Sequence, residues 1–337
     1  MRAIPLVRSS LLHPLFEFLA RRSCALPASL VRARRALADC DPPIPLACAG
    51  ALFEDAVRAT GCEDLGLRVG DASEIDALGE LGPALRRSAT LGAALALAER
   101  HETRRFNSGE RIWLVEQRHE AVLHRWFSPA LRRGRQAVSD YSLMFVLKLL
   151  RLAAGPHWRP SEIDFEGPRP AHAARLDEFA YRLRFEQPVT RVIFPRELLA
   201  LPLARPVATP RGHGGAVAPP ARELPLDFDG SVRGAIAALL QLGRPDLRSV
   251  AEAAGTSVRS LQRSLSKSGL HFTELVDEAR FERARRLLRD AVRVVDVGAD
   301  LGYSDAGNFS RAFRRWSGGQ SPREFRLSLE RDVSAAG

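Results

Sequence analysis

The last third of the chain carries the clearest pattern of apolar and polar positions. Leu247, Val250, Ala251 and Ala254 stand at i, i+3, i+4 and i+7, and Val294, Val297, Gly298 and Leu301 repeat that spacing 47 residues later. Each set puts one apolar stripe on one helix face. Each stripe runs into a glycine, Gly255 or Gly302, a residue that can take positive φ and end a helix sharply. Two residues further on stand Ser257 and Ser304, both read as N-caps of a following helix. Those helices carry apolar i, i+4 pairs: Leu261 with Leu265, and Phe309 with Phe313. From Ser231 to Leu329 the pattern predicts about seven helices and no strand.

Upstream the pattern is mixed. Helices are predicted over Leu11–Arg22, Gly50–Thr60, Thr90–His101 (opening on a capping threonine) and Ser139–Leu152, the last with Leu143, Leu147 and Leu150 on one side. Arg111–Glu116 and Ala121–Trp126 read as a β-hairpin around Gln117–Glu120. Arg182–Glu186 and Arg191–Phe194 read as a second strand pair around Gln187-Pro188, followed by a short helix opened by Pro195 and carrying Leu198 and Leu199.

Between these regions, Pro206, Pro210, Pro219, Pro220 and Pro225 are interleaved with Gly212, Gly214 and Gly215. Proline removes backbone donors and glycine adds freedom, so this stretch is expected to be irregular. The expected organisation is a mixed α/β (α+β) effector and dimerisation domain over residues 1–203, a linker over 204–225, and an all-α domain over 226–337 with two helix-turn-helix units. A length of 337 residues agrees with two domains.

Composition changes this picture little. The formal net charge is +10, and Lys148 and Lys267 are the only lysines, so arginine supplies nearly all the positive charge. An Arg- and Ala-rich chain also follows from codon bias, so net charge alone argues only weakly for a polyanionic partner. Cys24, Cys40, Cys48 and Cys62 form no C-x-x-C pair, which removes support for a zinc ribbon or a thioredoxin-type site, and scattered thiols suit a reducing cytoplasm. No secretory signal is read at the N-terminus, and no uncharged apolar run of about 18 residues is present, so no membrane partner is expected.

Helix, glycine turn and capped second helix form the logic of a helix-turn-helix, whose second helix can enter a DNA major groove about 12 Å wide. With Leu261 and Leu265 inward, Arg259, Gln262 and Arg263 face outward, with Ser260 beside them; with Phe309 and Phe313 inward, Ala306, Gly307, Asn308, Ser310 and Arg311 do so. Arginine can pair with guanine O6/N7 and glutamine with adenine N6/N7, so Arg259, Gln262, Arg263, Ala306, Asn308, Ser310 and Arg311 are the candidate base contacts. Ser257, Lys267, Ser304, Arg314, Arg315 and Arg323 suit phosphates.

The stretch Gly302-Tyr303-Ser304-Asp305-Ala306-Gly307-Asn308-Phe309-Ser310-Arg311-Ala312-Phe313-Arg314-Arg315-Trp316, with Ser321-Pro322-Arg323-Glu324-Phe325-Arg326 after it, closely resembles the C-terminal signature of AraC/XylS-family transcriptional regulators. Ser257–Leu265 resembles the first recognition helix of that family, and the joining helix, with Phe281, Ala284, Leu287 and Leu288, resembles its central helix. One departure is Ser264-Leu265 after Arg263, where an aromatic often closes the motif. Independently, Ser321, Pro322 and Glu324 fit the N-cap, N1 and N3 positions of a capping box. Upstream, Leu65–Gly70, Leu78–Gly82, Thr90–Leu95 and Val192–Pro195 resemble the arabinose-binding-like effector domain of one branch of the family. Members of that branch are not generally sugar binders, so the resemblance implies no particular ligand.

Other constellations lack the required spacing. His119 and His124 are five apart within a predicted hairpin, whereas a zincin helix needs histidines four apart. Arg211–Gly215 lacks the Lys-Ser/Thr of a phosphate loop, and no G-x-S-x-G elbow occurs. No catalytic residue, metal site or cofactor is expected. The expected partners are double-stranded promoter or operator DNA, RNA polymerase, a small-molecule effector with Trp113, Arg125 and Trp126 as candidate contacts, and a second copy of the chain joined through the N-terminal domain. The competing reading is an enzyme or ligand-binding protein whose helical tail is an interaction module.

Overall fold

The computed structural model describes residues 2–22, 25–37, 41–203, 223–243 and 245–335. Of the expected linker, only Glu223, Leu224 and Pro225 fall among these, and Cys24 and Cys40 lie outside them.

The chain opens with strand β1 (Leu6–Arg8) and helices α1 (His13–Ala20) and α2 (Ala28–Ala36). Strand β2 (Pro43–Pro45) then pairs antiparallel with β1, setting Leu6 opposite Pro45 and Val7 opposite Ile44. Helices α3 (Leu46–Thr60), α4 (Leu65–Ala72), α5 (Leu81–Arg86) and α6 (Leu91–His101) follow, and Thr90 Oγ1 accepts from the Ala93 N–H as the expected cap of α6. Next come β3 (Glu110–Glu116), β4 (Glu120–Phe127), α7 (Arg135–Ala154), β5 (Glu162–Asp164), α8 (Ala173–Leu176), β6 (Leu183–Arg184) and β7 (Thr190–Pro195).

The larger sheet has the order β3-β4-β7-β5-β6. The expected β3–β4 hairpin is present, with Trp113 opposite His124 and Ile112 opposite Arg125. The second expected strand pair is not a pair: β7 lies antiparallel between β4 and β5, while β6 pairs parallel with β5. β5 takes the edge that a direct β6–β7 hairpin would need, and β6 spans only two residues. The inner face of this sheet contributes Leu123, Val192 and Phe194 to a core shared with α3, α4 and α7. Gly66 lets α4 lie against α7, because a Cβ there would stand 2.1 Å from the Ala137 carbonyl oxygen.

After the linker the chain is helical among the described residues: α9 (Phe228–Leu242), α10 (Leu247–Ala253), α11 (Val258–Lys267), α12 (Phe272–Arg289), α13 (Val294–Asp300), α14 (Ala306–Ser317) and α15 (Pro322–Ala335). Seven helices match the sequence pattern. Two further cores lie here, one around α9–α11 and one around α13–α14, bridged by α12. The first is not built from this region alone. Ile4 and Leu6, from the start of the chain, are fully buried in it beside Val232, Ile236 and Leu261. The Ile4 N–H also donates to Ser231 Oγ at 2.9 Å.

Candidate nucleic-acid interface

Both helix-turn-helix units are closed by the same backbone device. α10 ends with Gly255 at φ 64°, and the Thr256 N–H returns to the Ala251 carbonyl at 2.9 Å. α13 ends with Gly302 at φ 84°, and the Tyr303 N–H returns to the Gly298 carbonyl at 2.9 Å. This six-to-one closure with a left-handed glycine is the Schellman motif. It turns the chain sharply and leaves the next helix crossing the first.

The second helices are capped as their sequences allow, with one correction. Ser257 caps α11 by accepting from the Ser260 N–H. The cap of α14 is Asp305, not Ser304, and its carboxylate accepts from the Asn308 N–H at 2.9 Å. Those amide donors hold the Asp305 carboxyl below its ordinary range. The two units are therefore offset by 48 residues after the turn rather than 47, as the spacings Leu261 to Phe309 and Leu265 to Phe313 already require. The capping box of α15 forms as expected: the Ser321 N–H donates to Glu324, and the Glu324 N–H donates to Ser321 Oγ.

With the corrected offset, the outward positions correspond in space. Arg263 matches Arg311, Gln262 matches Ser310, Arg259 matches Gly307 and Lys267 matches Arg315. Leu261, Leu265, Phe309 and Phe313 are all buried, so each second helix turns its opposite face outward. Arg259, Gln262, Arg263, Ala306, Asn308 and Arg311 are exposed and Ser310 half-buried. Arg311 donates to the Asn308 side chain, which holds both on one patch. Of the expected phosphate contacts, Ser257, Lys267, Ser304, Arg314, Arg315 and Arg323 are all exposed. Arg315 is already engaged with Asp277 of α12 at 2.7 Å, a partner that the local sequence does not reveal.

The first unit also touches the N-terminal domain. A Cβ on Gly255 would stand 2.9 Å from Ala130 Cα, in the loop after β4. On α3, the Cys48 thiol is pushed up to about 12 by burial and by Glu252 of α10.

The three candidate effector contacts are not brought together. Alternate residues of a strand face opposite sides of a sheet. Arg125 points inward, 1% exposed, and pairs with Glu110 at 2.7 Å. Trp113 stacks on His124 on the other face, ring centroids 4.9 Å apart, and Trp126 shares that face by parity. Glu110 was missed by the sequence reading. Its signal was a carboxylate on the inward parity of the hairpin, diagonal to Arg125 across the pair.

Comparison with known proteins agrees with this construction. Residues 25–203 match the arabinose-binding domain of AraC transcription regulators, and residues 250–328 match a helix-turn-helix domain. The ornithine utilization regulator of Pseudomonas aeruginosa is 30% identical over 270 residues, 78% of each chain. The regulator VqsM of the same organism is 42% identical over 86 residues, 25% of this chain and 26% of its own. VirS of Mycobacterium tuberculosis is 33% identical over 89 residues, 26% of each chain. The solved structure of the regulator CdpR from Pseudomonas aeruginosa covers 91% of this chain and 100% of its own at 21% identity, with a TM-score of 0.37. Similarity spanning both domains, joined to two identically closed helix-turn-helix units, places the chain in the AraC/XylS family: it is a DNA-binding transcriptional regulator with an N-terminal effector-binding domain.

Proposed function

We propose that the chain reads two successive major-groove segments, one with α11 and one with α14, about one DNA turn (~34 Å) apart. The observation that carries this reading is the equivalence of Arg263 and Arg311, exposed at corresponding positions of two units closed by the same turn. Gln262, Asn308 and Ser310 complete the base-reading surface, while Lys267, Arg314 and Arg323 meet phosphates. Residues 226–337 form the DNA-binding domain and 1–203 the effector and dimerisation domain, with Ile4 and Leu6 lent to the former. The outer sheet face, where Trp113, Val115 and Trp126 stand beside charged neighbours, is the surface we assign to a second copy. RNA polymerase would be met by the assembled complex on a promoter.

The test is selection of preferred duplexes from a random pool, followed by gel shifts. Arg263→Ala and Arg311→Ala are each expected to weaken preferred-site binding by roughly 1–3 kcal/mol and to relax discrimination at separate base-pair clusters. Equal weakening on every sequence would make these arginines phosphate contacts. Absence of any preferred duplex would restore the competing reading. Sedimentation of the full chain at micromolar concentration tests the dimer.

A further inference from the structure

The N-terminal domain encloses a cavity of about 90 Å³ between α3, α6, α7 and the inner face of β3–β4. Its wall is almost wholly apolar, including Leu46, Ala49, Phe53, Leu95, Val138 and Phe145. The exceptions gather at one place: Asn107, Glu110 and Ser142. Tyr141 also lines it, but its hydroxyl is already committed to the Leu11 carbonyl at 2.7 Å.

The polar group is not fully satisfied by the described residues. Glu110 Oε1 accepts from Arg125 Nε and Nη2 at 3.1 and 2.7 Å and from Ser142 Oγ at 3.1 Å. Among the described residues, Glu110 Oε2 has two long contacts, Asn107 Nδ2 and Ser142 Oγ, each at 3.3 Å. Arg125 Nη1, on the buried partner of Glu110, has no hydrogen-bond partner among the described residues. Buried polar atoms are ordinarily paired, so an unpaired guanidinium nitrogen and a carboxylate oxygen held only by 3.3 Å contacts, beside an apolar void, require an explanation.

We propose that this cavity is the effector site, and that it takes a small neutral alcohol or phenol whose hydroxyl donates to Glu110 Oε2 and whose apolar body fills the void. The Glu110–Arg125 pair brings no net charge, so an ionised head group gains little there and loses its hydration. The volume allows about six to nine water-sized groups at ~10–15 Å³ each, which limits the ligand to a short chain or one ring. This inference rests on the effector-domain reading above.

The wall also gives the site a route to DNA. β1 is two-faced: Val7 lines the cavity, while its neighbour Leu6 is buried in the core of the first helix-turn-helix unit. α3 is placed alike, with Ala49 lining the cavity and the half-buried Cys48 feeling the charge of Glu252 on α10. A ligand that presses on Val7 therefore presses on a strand that completes the DNA-binding core.

Calorimetric titration of the full chain with n-hexanol, with n-hexanoate as control, tests the site. Saturable one-to-one binding of n-hexanol is expected, with n-hexanoate at least tenfold weaker. Ala49→Leu and Ala98→Leu, which fill the cavity from α3 and α6, are each expected to weaken n-hexanol binding at least tenfold. Circular dichroism confirms that each variant is folded. Absence of saturable binding to the wild-type chain, or undiminished binding to a folded filling variant, overturns the site; equal affinity for n-hexanoate overturns the head-group assignment. Gel shifts on the same samples keep the two readings apart, because failed n-hexanol binding with intact duplex preference removes this inference alone.

Discussion

The two helix-turn-helix units share a turn, a capped second helix and an outward arginine, yet their cores are completed from opposite ends of the chain. In the second unit, Phe309 and Phe313 pack on Phe281, Phe325 and Tyr303, with ring centroids 5.4–5.9 Å apart, and the buried residues around them lie within α12–α15 or the turn between α13 and α14, save Leu240 of α9. In the first unit, Leu261 and Leu265 replace the phenylalanines, and the space is closed by Ile4, Leu6 and Leu224. Leucine carries less apolar surface than phenylalanine, so the first unit needs outside material. Taking that material from the effector domain makes its stability sensitive to that domain. The difference teaches where regulation can enter: through α10–α11, with α13–α14 as the fixed half of the reader.

The comparison can be broken most forcefully from inside each core. Phe313→Ala should cost about 3–5 kcal/mol and Leu6→Ala about 2–5 kcal/mol, as large-to-small changes at buried sites do. The distribution decides more than the size. Hydrogen exchange should rise in α13–α14 for Phe313→Ala, and in α10–α11 for Leu6→Ala with α13–α14 unaffected. If Leu6→Ala loosened both units equally, or only residues of the large sheet, the first unit would not depend on β1. The same dependence predicts that a fragment beginning near Pro225 keeps α12–α15 cooperative and leaves α9–α11 with fast exchange.

A smaller effect sharpens the comparison at the turns. Gly255→Ala and Gly302→Ala each place a side chain at positive φ, a conformation costing roughly 1–2 kcal/mol for an L-residue. At Gly255 the new Cβ also meets Ala130 Cα at 2.9 Å, so contact with the effector domain adds to the backbone strain. Gly255→Ala should therefore cost more than that strain alone in thermal melts of the full chain. A loss no larger than about 1–2 kcal/mol would mean that the turn does not rest on the effector domain in solution.

What the sequence revealed follows the range of the interactions. The seven C-terminal helices were legible because their stripes, caps and stop glycines act within a few residues. The cap of α14 was misplaced by one residue because serine and aspartate both cap well, and only the Phe309 spacing distinguishes Ser304 from Asp305. The order of the large sheet was not legible: β7 reads as a strand, but nothing local says that its partners are β4 and β5 rather than β6. The contribution of Ile4 and Leu6 was hidden in the same way, since the Ile4 to Ser231 hydrogen bond spans 227 positions. The outward faces of α11 and α14 were legible because they follow from the buried i, i+4 pairs, while the cavity needed three helices and a hairpin to converge.

The smallest effect tests the same division by pH. His172 Nε2 lies 2.8 Å from an oxygen of the fully buried Asp140 on α7, and this hydrogen bond with the carboxylate holds the imidazole above its ordinary value of 6.5. A histidine whose pKa is higher folded than unfolded stabilises fully below the unfolded value, and that stability is lost as pH rises through the folded one. The N-terminal domain should therefore melt progressively lower as pH climbs above about 6.5, and His172→Gln should flatten that slope. Because the first helix-turn-helix unit borrows its core from this domain, exchange in α10–α11 should quicken over the same window, while α13–α14 stay level. The measurement is hydrogen exchange at a series of pH values, corrected for the intrinsic rate and read against His172→Gln. A pH slope of equal size in both units would show that they are coupled as one body, and the division between a regulated and a fixed reader would fall.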